Sequence, residues 1–212
     1  MKLPPLSAIA SVSPSPSTAD HLVVILHGWG ADTQDLLPLG AALNVSNYQY
    51  LFVNAPFPHP QIPQGKAWYN LESNRFDGLT ESRQALREYV LGLEAQTQIP
   101  LNKTVLGGFS QGGAMSLDVG LTLPLAGIFA LSGYLHFQPE SSDSSPPPIL
   151  MVHGTQDQVI PIALAREAKN VLQSIGAMVD YQELAMGHEI SPPVLVRLQT
   201  FLKTVSSAAD LR

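Results

Sequence analysis

The chain has 212 residues, 45% of them apolar and 13% charged, with a net charge of −6 at pH 7 and no cysteine. A chain of this length and balance buries one continuous core and is unlike a disordered sequence. The acidic balance, with no lysine or arginine cluster, argues against nucleic acid as a partner. The absence of cysteine excludes disulfides, thiolate metal sites and a cysteine nucleophile.

Residues 1–19 read as a flexible Ser/Pro-rich tail without the apolar run of a signal peptide, and residues 20–212 as a single domain. No segment is long and apolar enough to span a bilayer, so the expected location is the cytoplasm. "HLVVIL" (21–26) is a continuous β-branched run stopped by the glycine turn "HGWG", the pattern of a strand buried on both faces of a parallel sheet. "DLLPLGAAL" follows as a helix and "YQYLFVNAP" as a strand. From Ala55 to Gly78 prolines and aromatics alternate without period, which predicts a long ordered loop. Thr80 is the expected cap of the next helix, where Leu79, Leu86, Tyr89, Val90 and Leu93 recur at helical spacing. Then come the strand "KTVLGGF", the helix "QGGAMSLDVGL", the strands "AGIFALSG" and "PPPILMVHG", a helix begun by Pro161, the strand "AMVDYQEL" and the closing helix "PPVLVRLQTFLKTV". Strands that alternate with helices predict an α/β fold, a mostly parallel sheet covered on both faces, with no inserted lid domain.

In such a sheet, functional residues gather outside the carboxyl ends of the strands. Taking the residues just past each strand gives His27-Gly28-Trp29-Gly30, then Ser110, then His153-Gly154 with Asp157, then Gly187-His188. Ser110 sits in "GFSQG", a match to the G-x-S-x-G elbow, in which a serine occupies a strained strand-to-helix turn. On the order of 0.1 such matches arise by chance in a chain this long. The weight therefore comes from position and from the order Ser110, Asp157, His188. A Cβ at Gly108 or Gly112 is expected to collide with neighbouring backbone. The amide of Gln111 at the helix start, with that of Trp29, supplies a candidate oxyanion hole.

Other histidines have local explanations: His27 and His153 lie in strand-end turns where an imidazole bonds backbone, His21 enters a strand, and His59 lies in the Pro-rich loop. His136 also precedes the last strand. Asp143 and Asp180, in a surface loop and a strand, are poorer partners for the base than Asp157. Phe57, Trp68 and Tyr69 are candidate substrate contacts, and for Trp68 and Tyr69 core packing is an equal alternative. No group of His, Asp and Glu has metal-ligand spacing, and no cofactor is called for.

"LHGWGADTQDLLPL", "GFSQGGAMSL", "ILMVHGTQDQVIPI" and "AMGHEI", with the "AWY" step at Ala67 to Tyr69, resemble the small carboxylesterase and acyl-protein thioesterase (lysophospholipase-like) family of α/β-hydrolases. The resemblance covers residues 21–202. It implies the α/β-hydrolase fold and hydrolysis of esters or thioesters of short to medium acyl chains, with small esters, acylated proteins or lysolipids as partners and a monomer or homodimer as the assembly. It also implies Ser110 as nucleophile, His188 as base, Asp157 as orienting acid and the amides of Trp29 and Gln111 as the oxyanion hole. Trp29 stands where the family usually has leucine, Asn70 where it commonly has aspartate, and residues 55–66 differ, all where substrate would bind. Hydrolysis of another class such as lactones, or a non-catalytic binding module, are the alternatives.

Overall fold

The computed structural model describes residues 6–11, 19–73, 75–139 and 145–210. Among these the strands are β1 (Ala8–Ser11), β2 (His21–Leu26), β3 (Tyr48–Val53), β4 (Phe57–Pro58), β5 (Lys66–Ala67), β6 (Thr104–Phe109), β7 (Gly127–Leu131), β8 (Ile149–Gly154) and β9 (Val179–Leu184). The helices are α1 (Thr33–Leu43), α2 (Leu79–Leu91), α3 (Leu93–Thr97), α4 (Gln111–Gly120), α5 (Ile162–Ser174) and α6 (Pro192–Ala209).

Seven strands form one sheet in the order β1-β3-β2-β6-β7-β8-β9, parallel throughout except for β1. Side chains alternate across it. In β2, Leu22, Val24 and Leu26 join a core with Leu86, Val90, Met115, Leu117 and Leu172 from α2, α4 and α5. Val23 and Ile25 join the opposite core with Leu36, Leu39 and Leu43 of α1 and Val194, Leu198 and Leu202 of α6. Burial on both faces is why β2 reads as an unbroken apolar run, each large side chain contributing about 1.5–3 kcal/mol of transfer energy. The Tyr48 hydroxyl donates to the Leu202 carbonyl at 2.9 Å, tying β3 to α6.

Three sequence expectations need correction. The N-terminal residues are not wholly a tail: Ala8–Ser11 pairs antiparallel with β3, and the Asn54 amide donates to the Ser7 carbonyl at 2.9 Å. An extended segment on the open side of β3 gains ladder hydrogen bonds whatever its composition; residues 1–5 and 12–18 lie outside the described residues. Helix α2 starts at Leu79 behind Gly78 rather than at a Thr80 cap. Gly78 has φ 94°, and a Cβ there would stand 2.6 Å from the Phe57 ring, so the tight approach of that ring selects glycine. The long loop contains the hairpin β4–β5, with Phe57 opposite Ala67 and Pro58 opposite Lys66.

Removing residues 1–11 should uncover the edge of β3 and lower the melting midpoint by about 3–6 °C, equivalent to on the order of 1–2 kcal/mol. A midpoint unchanged by calorimetry would show that β1 contributes no stability.

Candidate active site

Because β2, β6, β8 and β9 run parallel, their carboxyl ends open on one rim of the sheet, and the loops there carry Trp29, Ser110, Asp157 and His188. Ser110 joins β6 directly to α4. Its backbone has φ 55° and ψ −119°, a conformation costing about 1–3 kcal/mol for a non-glycine residue. The turn is held by the Ser110 amide donating to Leu131 O at 2.8 Å and the Ala114 amide donating to Ser110 O at 3.0 Å. A Cβ at Gly108 would lie 2.5 Å from Leu26 O and one at Gly112 2.3 Å from the same oxygen, so both positions must be glycine for strand and helix to meet. Gly28 also abuts Ser110: a Cβ there would be 3.3 Å from Ser110 Cβ.

The Asp157 side chain is fully buried, yet its carboxylate accepts from His188 Nδ1 at 2.7 Å, Val159 N at 2.9 Å and Ile160 N at 2.8 Å. Burial pushes the carboxyl pKa up, but the His188 bond and the two amides outweigh it and leave it lowered. With Nδ1 committed to Asp157, His188 presents Nε2 as its remaining acceptor. Its ring rests against Phe109, the residue before Ser110, with centroids 4.6 Å apart. Among the described residues no hydrogen bond joins the Ser110 hydroxyl to His188. Such nucleophile–base bonds commonly close only around bound substrate.

The N–H groups of Trp29 and Gln111 donate to nothing among the described residues, whereas the neighbouring Gly30 N–H is used on Lys66 O at 2.9 Å. The rival histidines bond locally, although His21 Nε2, His59 Nε2 and His153 Nδ1 have no hydrogen-bond partner among the described residues and His153 Nε2 lies 3.5 Å from the Asp157 carboxylate. His27 bonds Gly28 O through Nδ1 at 2.8 Å and accepts the Ala55 amide on Nε2 at 3.0 Å, and burial lowers its pKa. His153 donates to Ile160 O at 2.9 Å. Asp180 is bonded to Gln182 on β9, and Asp143 lies outside the described residues.

Trp68 and Tyr69 are 0% exposed, which removes both from direct substrate contact in this structure. Trp68 Nε1 donates to His27 O at 3.0 Å, its amide donates to Gln111 Oε1 at 2.9 Å, and Ser82 donates to its carbonyl. Phe57 is half-buried, its ring over Gly78. Sequence reasoning missed a buried polar set, Asp118, His136 and Tyr134, grouped around the Tyr69 hydroxyl. The one hint was a histidine two residues after an aromatic at the end of β7. Asp20, His21 and Asp210 converge from distant parts of the chain, their ligand atoms within 4.8 Å of one another, but Lys103 Nζ already stands 2.7 Å from Asp210 and 3.4 Å from Asp20. That ammonium supplies the cation the carboxylates need. A concavity of about 1100 Å³ lined by Arg83, Leu121, Leu135, Phe137 and Met178 includes none of Ser110, Asp157 or His188.

Sheet order, crossovers and the rim on which these residues stand define an α/β-hydrolase. The chain belongs to the phospholipase/carboxylesterase family, whose sequence profile matches residues 7–206. It is 31% identical over 224 aligned residues to acyl-protein thioesterase 1 of Gibberella zeae, covering 91% of this chain and 93% of that protein. A second protein of that name, from Schizosaccharomyces pombe, is 31% identical with 92% and 96% covered. The crystal structure of esterase PE8 superposes with a TM-score of 0.87 at 32% identity, over 95% of this chain and 99% of that one.

Two measurements test this description. Since the pKa of Asp157 is lowered from the ordinary value of about 4, the stability its ionised form contributes is complete above that pH and lost as pH falls through the lowered value. Asp157→Asn should therefore be less stable than the parent at neutral pH, with the gap in melting midpoint narrowing from about pH 5 to pH 3; a gap independent of pH would contradict the assignment. Trp68→Ala should cost about 3–5 kcal/mol in denaturant unfolding, the loss expected of a buried aromatic truncated to alanine.

Proposed function

We propose that the chain is a serine hydrolase that cleaves carboxylic esters or acyl thioesters through an acyl-enzyme. What carries the reading is the placement of a strained serine, Ser110, on the same rim as an Asp157–His188 pair bonded at 2.7 Å. The names of the relatives, thioesterases and an esterase, support the same bond type.

In this mechanism His188 Nε2 takes the Ser110 proton while Oγ attacks the acyl carbon, and Asp157 holds the ring with Nδ1–H inward and stabilises the imidazolium. The carbonyl oxygen, now negative, is met by the amides of Gln111 and Trp29, each worth about 2.7–4 kcal/mol of barrier. Collapse expels the alcohol or thiol, which receives the proton from His188. Water then attacks the acyl carbon with His188 again as base, releasing the acid and restoring Ser110. The shape of the rim favours short to medium acyl chains, because the crossover from β7 to β8 carries no helix among its described residues to cover it. Acylated protein, lysolipid and small ester are all compatible with that opening, and a cytoplasmic location belongs to the same reading.

A fluorophosphonate should label the parent at Ser110 and leave Ser110→Ala unlabelled, and that variant should lose at least about a thousandfold in kcat on p-nitrophenyl butyrate with an unchanged melting midpoint. Turnover retained by Ser110→Ala, or label found elsewhere, would refute the nucleophile. A thioester and acyl-length series on the parent then ranks the substrates.

A further inference from the structure

We propose that the buried chain of side chains from Asp118 through His136 to Tyr69 is a positioning relay that sets the backbone of Gln111 beside Ser110. The proposal rests on the function given above, since the group it positions is the amide assigned to the oxyanion. Asp118, on α4, takes a hydrogen bond from His136 Nδ1 at 2.8 Å. With its proton on Nδ1, His136 offers Nε2 as an acceptor, and the Tyr69 hydroxyl lies 2.6 Å from it. The Tyr69 oxygen is in turn bonded to the Tyr134 hydroxyl. With a neutral His136 and a carboxylate that only accepts, donation runs from Tyr134 to Tyr69, from Tyr69 to His136 and from His136 to Asp118.

These groups are enclosed, with Asp118 alone among them bordering the concavity described above. The side chains of His136 and Tyr69 are 0% exposed and that of Asp118 5%. The His136 ring is walled by Tyr69, Tyr134 and Phe76 with centroids 4.8, 5.2 and 5.5 Å away. Arg83 Nε stands 3.7 Å from the Asp118 carboxylate. Burial also pushes the pKa of both tyrosine hydroxyls up, so they remain donors. A buried network of this kind is worth keeping only if every member is satisfied.

The relay reaches the site through the main chain of the same tyrosine. Gln111 is 0% exposed, and its side-chain amide binds the main chain of the strap formed by Trp68 and Tyr69: Nε2 donates to Tyr69 O at 2.8 Å and Oε1 accepts from Trp68 N at 2.9 Å. Asp118 and Gln111 belong to one helix, seven residues or about two turns apart. The hydrogen bonds thus form a closed circuit from Gln111 to Tyr69 to His136 to Asp118 and back along α4. Two attachment points on one rigid helix fix both the distance and the tilt of an otherwise irregular strap. The Gln111 N–H, which must meet an oxygen within a few tenths of an ångström, sits at one corner of that circuit.

Tyr69→Phe deletes only the hydroxyl, and Asp118→Ala only the far anchor, whereas Asp118→Asn keeps an acceptor oxygen for His136. On p-nitrophenyl butyrate, well below the melting midpoint, Tyr69→Phe and Asp118→Ala should each lose about tenfold in kcat with KM within about twofold, and Asp118→Asn should recover most of the loss. The double variant Tyr69→Phe/Asp118→Ala should be no worse than the poorer single one, because both break the same circuit. Hydrogen–deuterium exchange read on the peptide spanning Ser110–Met115 should quicken at least about threefold in Tyr69→Phe. Folded variants with parental kcat and parental exchange, altered only in melting midpoint, would reduce the relay to a brace for stability and overturn the proposal. If Ser110→Ala retained turnover the functional reading would fall instead, and the exchange measurement would still decide whether the circuit holds Gln111.

Discussion

The fold turns on how closely one helix is allowed to approach a sheet. At Gly112 the space a methyl group would need is taken by the carbonyl oxygens of Leu26 and His27, at 2.3 and 2.6 Å, and at Gly108 by Leu26 O and the backbone of Gly112. These contacts are between main chains, which cannot rotate away as a side chain can. They press the start of α4 against the ends of β2 and β6, and the only way for the chain to make the turn is through the positive φ of Ser110. The strain is local, while its offset is spread over the flanking buried strands.

Around that turn the polar groups divide by task. Those with complete partner sets, His27, the Gln111 side chain and Trp68, fasten loops to the elbow. Those left with an unused donor or acceptor among the described residues are the amides of Trp29 and Gln111 and the ring of His188. In the mechanism proposed above this separation amounts to preorganisation: the fixed groups are satisfied inside the protein, and the remaining ones would meet the charge that develops during the reaction. The acidic side chains follow the same division. Asp157 is buried, lowered in pKa and committed to His188, whereas Asp20 and Asp210 share Lys103 at the surface and join the start of β2 to the end of α6.

What the sequence determined by itself were the features governed by near neighbours. Buried parallel strands announce themselves as unbroken apolar runs, and the strand-to-helix turn is legible in the glycines at 108, 112 and 113 around one serine, although the carbonyls that demand glycine there, those of Leu26 and His27, come from another strand end. The placing of Asp157 and His188 just past strand ends was legible for the same reason. The tertiary structure alone decided the rest. Composition hides β1, because the Ser/Pro-rich stretch pairs only when β3 offers an open edge. Trp68 and Tyr69 are aromatic whether they line a groove or fill a core, and only the assembled sheet, with His27 O and Gln111 above it, buries them. Asp118 reads as an ordinary helix aspartate until His136, 18 residues on, folds back upon it. Hydrogen bonds between residues distant in sequence leave no periodic trace, so chain-local physics fixes the elements, and the geometry of their packing fixes which polar atoms meet.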